Sequence, residues 1–305
     1  MSRKKSKLAS INTSLNYNDA IRLIMTLPNF ERSACMPDRS TFHLERMCLL
    51  MQNLGNPHRC IPTIHIAGSD GKGSIAAMVT SILTAQGYKS GLYTSPHLHS
   101  IVERIRVGMS PINPFDFTKL VKDIWPSVQQ VCTGGEFGKI TFFELLTAMA
   151  FSHFNKINVD CQVIEVGLGG KKDATNVVVP TICAISPISL DHISILGETI
   201  SLIALEKAGI IKNGIPTVVA PQSCEAMSVL INVSKTKLAP LIRVDKNYSW
   251  NNINHNLKKQ SFKLSGPRGQ YNLETSLLGS HQIENAATAT AIVETLNSQG
   301  LPVSK

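Results

Sequence analysis

Residues 68 to 74 read Gly-Ser-Asp-Gly-Lys-Gly-Ser, three glycines and a lysine within six positions, with an apolar run before them and a helix-forming run after. Glycines let the backbone turn sharply and expose consecutive N–H groups, and a following helix aims its partial positive charge at the same spot. That combination suits a phosphate. The usual phosphate-loop string places four residues between its first glycine and Gly-Lys-Ser/Thr. Here two residues separate Gly68 from Gly71, and Gly73 stands between Lys72 and Ser74. The match is to a shortened variant, and a glycine-rich turn between two packed elements is the alternative that the string alone leaves open.

Three further polar residues carry candidate chemistry. Ser95 ends the run SGLYTS, Glu165 lies near the end of CQVIEVG, and His192 follows TICAISPISLDH. In an open parallel sheet ligands sit beyond the carboxyl ends of the strands, so these side chains would face the glycine loop. A carboxylate inside an apolar strand is costly to bury unpaired. Mg²⁺ bridging phosphates fits, because it takes a few protein oxygens and keeps its water. Taken singly, Glu165 could instead pair with a lysine, and a lone histidine after a strand is more often a hydrogen-bonded residue than a ligand.

The elements that must position these residues follow from periodicity. Strands are predicted at 63–68, 90–95, 161–167, 181–188 and 216–221, alternating with helices at 73–86, 114–131, 141–155, 199–211 and 223–236. This is the pattern of α/β proteins with a mostly parallel sheet flanked by helices. After about residue 240 short runs with turn signals predict a small antiparallel sheet, to about 279, and IENAATATAIVETLNSQG predicts a last helix. The expected organisation is a flexible basic tail over 1–15 and one nucleotide-binding domain over 16–298.

At 305 residues and 43% hydrophobic the chain can bury a large core, which excludes a disordered tail or a fibre. Seven scattered cysteines without a CxxC pair suit a reducing compartment, and neither a membrane-spanning run nor a secretory signal is present, so a cytoplasmic protein without a membrane partner is expected. The net charge of +9 is partly concentrated in the opening RKKSK and lacks aromatic interleaving. An anionic small substrate explains it as well as nucleic acid does, and no nucleic-acid partner is expected.

HIAGSDGKGS, YTSPHL with ERIRV, TFFELLTAMAF, IEVGLGGKKDATN, SLDHISILGETISLIALEKAGIIK and GSHQIENAATA stand in an order and spacing that resemble the folylpolyglutamate synthase/dihydrofolate synthase family of the Mur ligase superfamily. The resemblance implies the Mur ligase central-domain fold and an ADP-forming ligase. In that reaction ATP phosphorylates a folate or dihydropteroate carboxylate and L-glutamate displaces the phosphate from the acyl phosphate. It also implies that Gly71, Lys72, Gly73 and Ser74 cradle the triphosphate, with Asn285 on the adenine side. Ser95, Glu165 and His192 match magnesium ligands. Thr141, Phe142, Phe143, Glu144, Lys172, Asp173 and Ala174 match segments that contact the pterin. Lys207 matches a lysine that is carbamylated in relatives and helps to hold a second Mg²⁺; in isolation it reads as an exposed helix lysine paired with Glu206 or Glu198. Lys72, Lys207 and His192 are thereby the expected catalytic residues. The chain departs from the family at Ser69 and Asp70, where Thr and Asn are usual, and at Lys171 and Lys172, where Arg-Leu is usual. The family continues past Lys305 into a further α/β domain that supplies groups for glutamate, and the chain reads as lacking it, so a non-catalytic nucleotide-binding fragment and a Mur-type peptidoglycan ligase are the alternative readings.

Overall fold

The computed structural model describes residues 15–31, 41–135 and 137–304; the basic tail predicted for 1–15 lies almost wholly outside them, as does Cys35. Eight strands form one sheet in the order β4-β3-β2-β5-β1-β6-β7-β8. They are β1 (Thr63–Ala67), β2 (Ser90–Tyr93), β3 (Ile105–Val107), β4 (Ser110–Pro111), β5 (Cys161–Glu165), β6 (Ile182–Ile185), β7 (Thr217–Val219) and β8 (Leu241–Arg243). The six from β2 to β8 in that order are parallel neighbours, and β3 and β4 extend the β2 edge antiparallel. Every residue of β1 and β5 is buried, which explains their continuous apolar runs.

The main helices are α1 (Tyr17–Ile24), α2 (Leu44–Asn53), α3 (Lys72–Ala85), α4 (Pro114–Gly134), α5 (Phe142–Lys156), α6 (Ile200–Lys207), α7 (Cys224–Thr236) and α8 (Ser280–Leu296). Residues alternate across the pleat of β1. Ile64 and Ile66 pack with Ile75 and Val79 of α3 and Ala287 and Ala291 of α8 on one face. On the other face Leu145, Met149 and Phe154 of α5 join a core with α1, α2 and α4, while Ile203 and Ala204 of α6 pack with Ile185 and Val219. Thr141 caps α5: its hydroxyl accepts from the Glu144 N–H at 3.2 Å, and Glu144 Oε2 accepts from the Thr141 N–H at 2.8 Å.

The small antiparallel sheet joins β9 (Ser249–His255), β10 (Gln260–Gly266) and β11 (Gly269–Thr275) in the order β11-β10-β9. It begins later than the expected residue 240: LIR is β8, a parallel edge strand of the main sheet. Phe262 and Leu264 turn inward, and the hydroxyls of Tyr248 and Tyr271 donate to the two oxygens of Glu294 on α8, at 2.5 and 2.6 Å. The α/β class is as predicted, with the five predicted strands and six predicted helices present. The chain adds α1, α2 and the β3–β4 pair, which periodicity did not expose. Cys161 and Cys183 are buried thiols, and no helix among the described residues is long and apolar enough to cross a membrane.

Candidate active site

The loops after β1, β2, β5 and β6 meet at the carboxyl edge of the sheet. The chain reaches β2 on one side of β1 and β6 on the other, so β1 lies at the switch point where a crevice opens. The first loop is shaped by two glycines. Gly68 has φ 147° and passes so close to β6 that a Cβ there would meet Ser186 Oγ, while Gly71, with φ 78°, is the residue before α3. The N–H groups of Ser69 and Asp70 donate to Pro187 O at 2.9 and 3.2 Å. The groups left for an anion are the first-turn N–H groups of α3, which have no intrahelical acceptor. They belong to the predicted cradle, Gly71 to Ser74.

Lys72 folds back over its own loop, its Nζ donating to the carbonyls of Gly68 at 3.0 Å and Ser69 at 3.1 Å. Asp70, an unfavourable neighbour for phosphate, is bonded elsewhere: its Oδ2 accepts from Ser189 Oγ at 2.8 Å. Asn285 packs against the loop, with its Oδ1 where a Cβ on Gly71 would stand, and Asn285 Nδ2 donates to Gln282 Oε1 at 3.0 Å. α8 therefore carries Asn285 to the outer side of the loop.

Glu165 is 4% exposed, at the end of β5 and facing α3, with its Oε1 3.6 Å from where a Cβ on Gly73 would lie. Its Oε2 accepts from the Ser95 N–H at 2.9 Å, and it makes no ion pair among the described residues. Burial pushes its carboxyl up to about 7, against the opposing pull of that N–H and of the Lys72 and Arg104 charges. A carboxylate held this way is short of a cation. His192 sits in the left-handed region, φ 47° and ψ 43°, with Nε2 3.4 Å from Asp191 Oδ1. Among the described residues no three His, Cys, Asp or Glu side chains cluster to hold a metal. A cation here would lean on Ser95, Glu165 and His192 together with ligand oxygens.

Lys207 differs from its reading as an exposed, ion-paired helix lysine. It is 2% exposed, and its Nζ donates to Gly68 O at 2.7 Å. Burial first, then the Lys72 charge, brings its ammonium down to about 8.

Beside the loop opens a cavity of about 580 Å³. Ser69, Lys72, Ser95 and His192 lie on its wall with Thr141, Phe143, Glu144, Lys172, Asp173 and Ala174. The structure thus brings together most of the predicted residues. It does not bring Phe142, whose ring is buried in the core with the Arg104 guanidinium carbon 5.4 Å from its centroid. Glu144 lines the cavity but is held by Arg46, whose Nε and Nη2 donate to it at 2.8 to 3.0 Å in a pair buried on both sides. Asp173 is held too: it accepts from the N–H groups of Leu168 and Thr175, each at 2.9 Å.

Sequence reasoning missed Arg46, Arg104 and Glu31. Arg104 clasps the segment that forms one cavity wall, its Nη1 and Nη2 donating to Glu31 at 2.7 and 2.5 Å and its Nε to His97 Nδ1 at 2.9 Å. Arg104 stood inside the quoted ERIRV, but nothing in that string marks which arginine turns inward.

Residues 117–293 match the model of the Mur ligase middle domain. The chain is 39% identical over 260 residues to the dihydrofolate synthase/folylpolyglutamate synthase of Bacillus subtilis, covering 85% of this chain and 60% of the relative. It is 40% identical over 270 residues to the protein of the same name from Mycobacterium tuberculosis, covering 84% and 55%. The chain thus spans little more than half the length of these relatives. A solved folylpolyglutamate synthase (FPGS) in complex with AMPPCP and folate superposes with a TM-score of 0.88 at 33% identity, over 95% of this chain and 69% of that one. The shared strand order, the loop at the switch point and these likenesses agree, and the chain belongs to the folylpolyglutamate synthase/dihydrofolate synthase family of Mur ligases.

Proposed function

We propose that residues 16–298 form the ATP- and pterin-binding domain of an ADP-forming ligase that joins L-glutamate to a folate or dihydropteroate carboxylate. The observation that carries this reading is the single cavity in which Lys72 and Ser69 of the phosphate loop share walls with Thr141, Phe143, Lys172 and Ala174. A phosphoryl donor and an apolar-walled acceptor site meet there. The FPGS that superposes on the chain is described with AMPPCP and folate, an ATP analogue and a pterin.

The chemistry follows from the groups present. The acceptor carboxylate attacks the γ-phosphorus, the bond to the β–γ bridging oxygen breaks and ADP leaves. The amine of glutamate then attacks the acyl carbon, loses a proton and expels phosphate. Bringing a carboxylate against a triphosphate requires charge neutralisation, which Lys72 supplies by leaving the Gly68 and Ser69 carbonyls for the phosphates. Glu165, buried and without an ion pair among the described residues, fits Mg²⁺, with Ser95 and His192 completing the protein ligands. When bound, the metal would add charge stabilisation at the phosphate oxygens. Lys207 suits carbamylation: CO₂ adds to a neutral amine, and burial enlarges the neutral fraction near pH 7. The walls of Phe143 and Gly167–Gly170 would keep water from the acyl phosphate.

Titrating the purified chain with Mg-AMPPCP, then with dihydropteroate and with folate, and incubating it with ATP and labelled glutamate tests the proposal. Saturable binding of nucleotide and of one pterin is expected, with label entering that pterin only very slowly. A chain that binds neither would overturn it.

A further inference from the structure

β1 is apolar except at Thr63 and His65, and the phosphate loop explains neither. His65 lies in the middle of the strand, opposite Ile164 of β5 and Cys183 of β6, and is wholly buried. It is not among the residues lining the cavity. An apolar side chain would fill this position without desolvating a polar ring, so the ring has a directional task.

The hydrogen bonds define that task. His65 Nε2 is 2.8 Å from Thr175 Oγ1, and Thr175 Oγ1 is 2.5 Å from Asp173 Oδ1. Asp173 also accepts from the N–H groups of Gly167, Leu168 and Thr175, at both ends of one turn. Burial raises the Asp173 carboxyl above its ordinary value, and the Thr175 hydroxyl and the N–H groups of Leu168, Thr175 and Gly167 pull the other way. With main-chain donors on both oxygens, the arrangement serves the acceptor-only carboxylate. The Thr175 hydroxyl must therefore donate its one hydrogen to Asp173 and accept one from His65. The histidine carries its proton on Nε2, and Nδ1 is left bare. Nδ1 is indeed a buried nitrogen with no hydrogen-bond partner among the described residues. Burial, aided by the nearby Lys212 charge, holds the ring neutral.

The outer side of the same turn is tied down separately. Asn176 Nδ2 donates to Lys171 O and Gly209 O, and Lys212 Nζ donates to Asn176 O and Oδ1. The hydrogen bond between Thr175 and His65 ties the turn to the centre of the sheet. Gly167 to Gly170, Lys172, Asp173 and Ala174 of this turn face the cavity.

We infer that His65 is a positioning residue for the substrate cavity, fixing the 167–177 wall from the far side through a directed Nε2–H to Thr175 to Asp173 relay. The consequence for acceptor binding rests on the proposed function; the relay itself does not.

Two-bond ¹H–¹⁵N correlation spectra of the full chain labelled with [¹⁵N]histidine read the ring directly. The Nε2–H tautomer of His65 is expected, without titration between about pH 5.5 and 8.5; an Nδ1–H ring, or one that titrates in that window, overturns the inference. In His65→Leu the amides of Leu168 and Thr175 should exchange about tenfold faster while those of α3 are unchanged, and His65→Gln, whose amide can donate to Thr175, should recover most of the protection. Unaltered exchange, or equal acceleration throughout the sheet, overturns it. If His65→Leu does not fold, Thr175→Val against Thr175→Ser gives the same contrast from the other end of the bond. The pterin that wild type binds should bind His65→Leu about tenfold more weakly, with Mg-AMPPCP unaffected; equal losses for both ligands overturn the inference. If wild type binds neither pterin the proposed function fails, and the tautomer and exchange still decide the relay.

Discussion

The loop after β1 and the turn after β5 stand side by side at the same edge of the sheet, and they satisfy their polar groups in opposite ways. In the first, Lys72 rests on the carbonyls of Gly68 and Ser69, and the first-turn N–H groups of α3 stay open. In the second, the buried Asp173 carboxylate collects main-chain N–H groups and the Thr175 hydroxyl. Contacts of the first kind are exchangeable, and in the proposed function a phosphate would replace them with stronger ones. Contacts of the second kind leave a ligand nothing to displace. The proposed ligase would use both, a loop that reorganises around a triphosphate and a wall that does not move when the loop does.

Lys72→Ala is the severest way to break the comparison. Mg-AMPPCP binding should weaken by about 3 kcal/mol or more, on the order of a hundredfold, while the thermal midpoint hardly moves, because Nζ gives up only carbonyls that water can serve. Calorimetric titration and a melt on the same sample check both halves. Asp173→Ala should invert this pattern. Removing the acceptor of several buried N–H groups should destabilise the fold by about 3 kcal/mol in urea and leave nucleotide affinity nearly intact.

Glu165→Gln probes the border between the two regions, and its sign is the informative part. The folded carboxyl titrates near 7, above its ordinary 4.5. Its contribution to stability is therefore fully present below about pH 4.5 and is lost as pH rises through about 7. The ligand-free Gln variant should then be more stable than wild type at pH 8 by about 1 to 3 kcal/mol, with the difference closing near pH 4.5. Mg²⁺-dependent binding should fall about tenfold, since the charge proposed to hold the metal is gone. Urea melts at the two pH values separate this from an ion-pair role, which predicts a less stable variant throughout. The mildest perturbation lies outside both regions: Tyr271→Phe removes one hydrogen bond to Glu294 and should cost about 0.5 to 1 kcal/mol, with nucleotide affinity unchanged.

The exchangeable region was legible in the residues themselves, whereas Lys172, Asp173 and Ala174 of the fixed one were named only through the family resemblance, and as pterin contacts. Glycines at 68, 71 and 73 with Lys72 advertise their chemistry because backbone conformation and charge are local properties. Ser95, Glu165 and His192 were found because strand ends are predictable from periodicity and the carboxyl-edge rule does the rest. Arg46 pairs with Glu144, Arg104 with Glu31 and His65 with Thr175 across 73 to 110 residues, and no local pattern encodes a partner so far away. Phe142 and Phe143 are indistinguishable as letters; the helix turn alone sends one into the core and the other to the cavity. The same limit explains Lys207. Its neighbours Glu206 and Glu198 suggested a surface ion pair, whereas the packing of α6 turns it toward Gly68.

The left-handed backbone of His192 governs how that residue can be interrogated. At φ 47° and ψ 43° an alanine lacks the ring and must also hold a conformation that disfavours its Cβ by about 1 kcal/mol, a strain that asparagine tolerates better and glycine avoids. An alanine scan would merge two quantities into one number and overstate what the imidazole does. His192→Asn and His192→Gly bracket the backbone contribution, and the part of the alanine loss that both share is the share belonging to the ring.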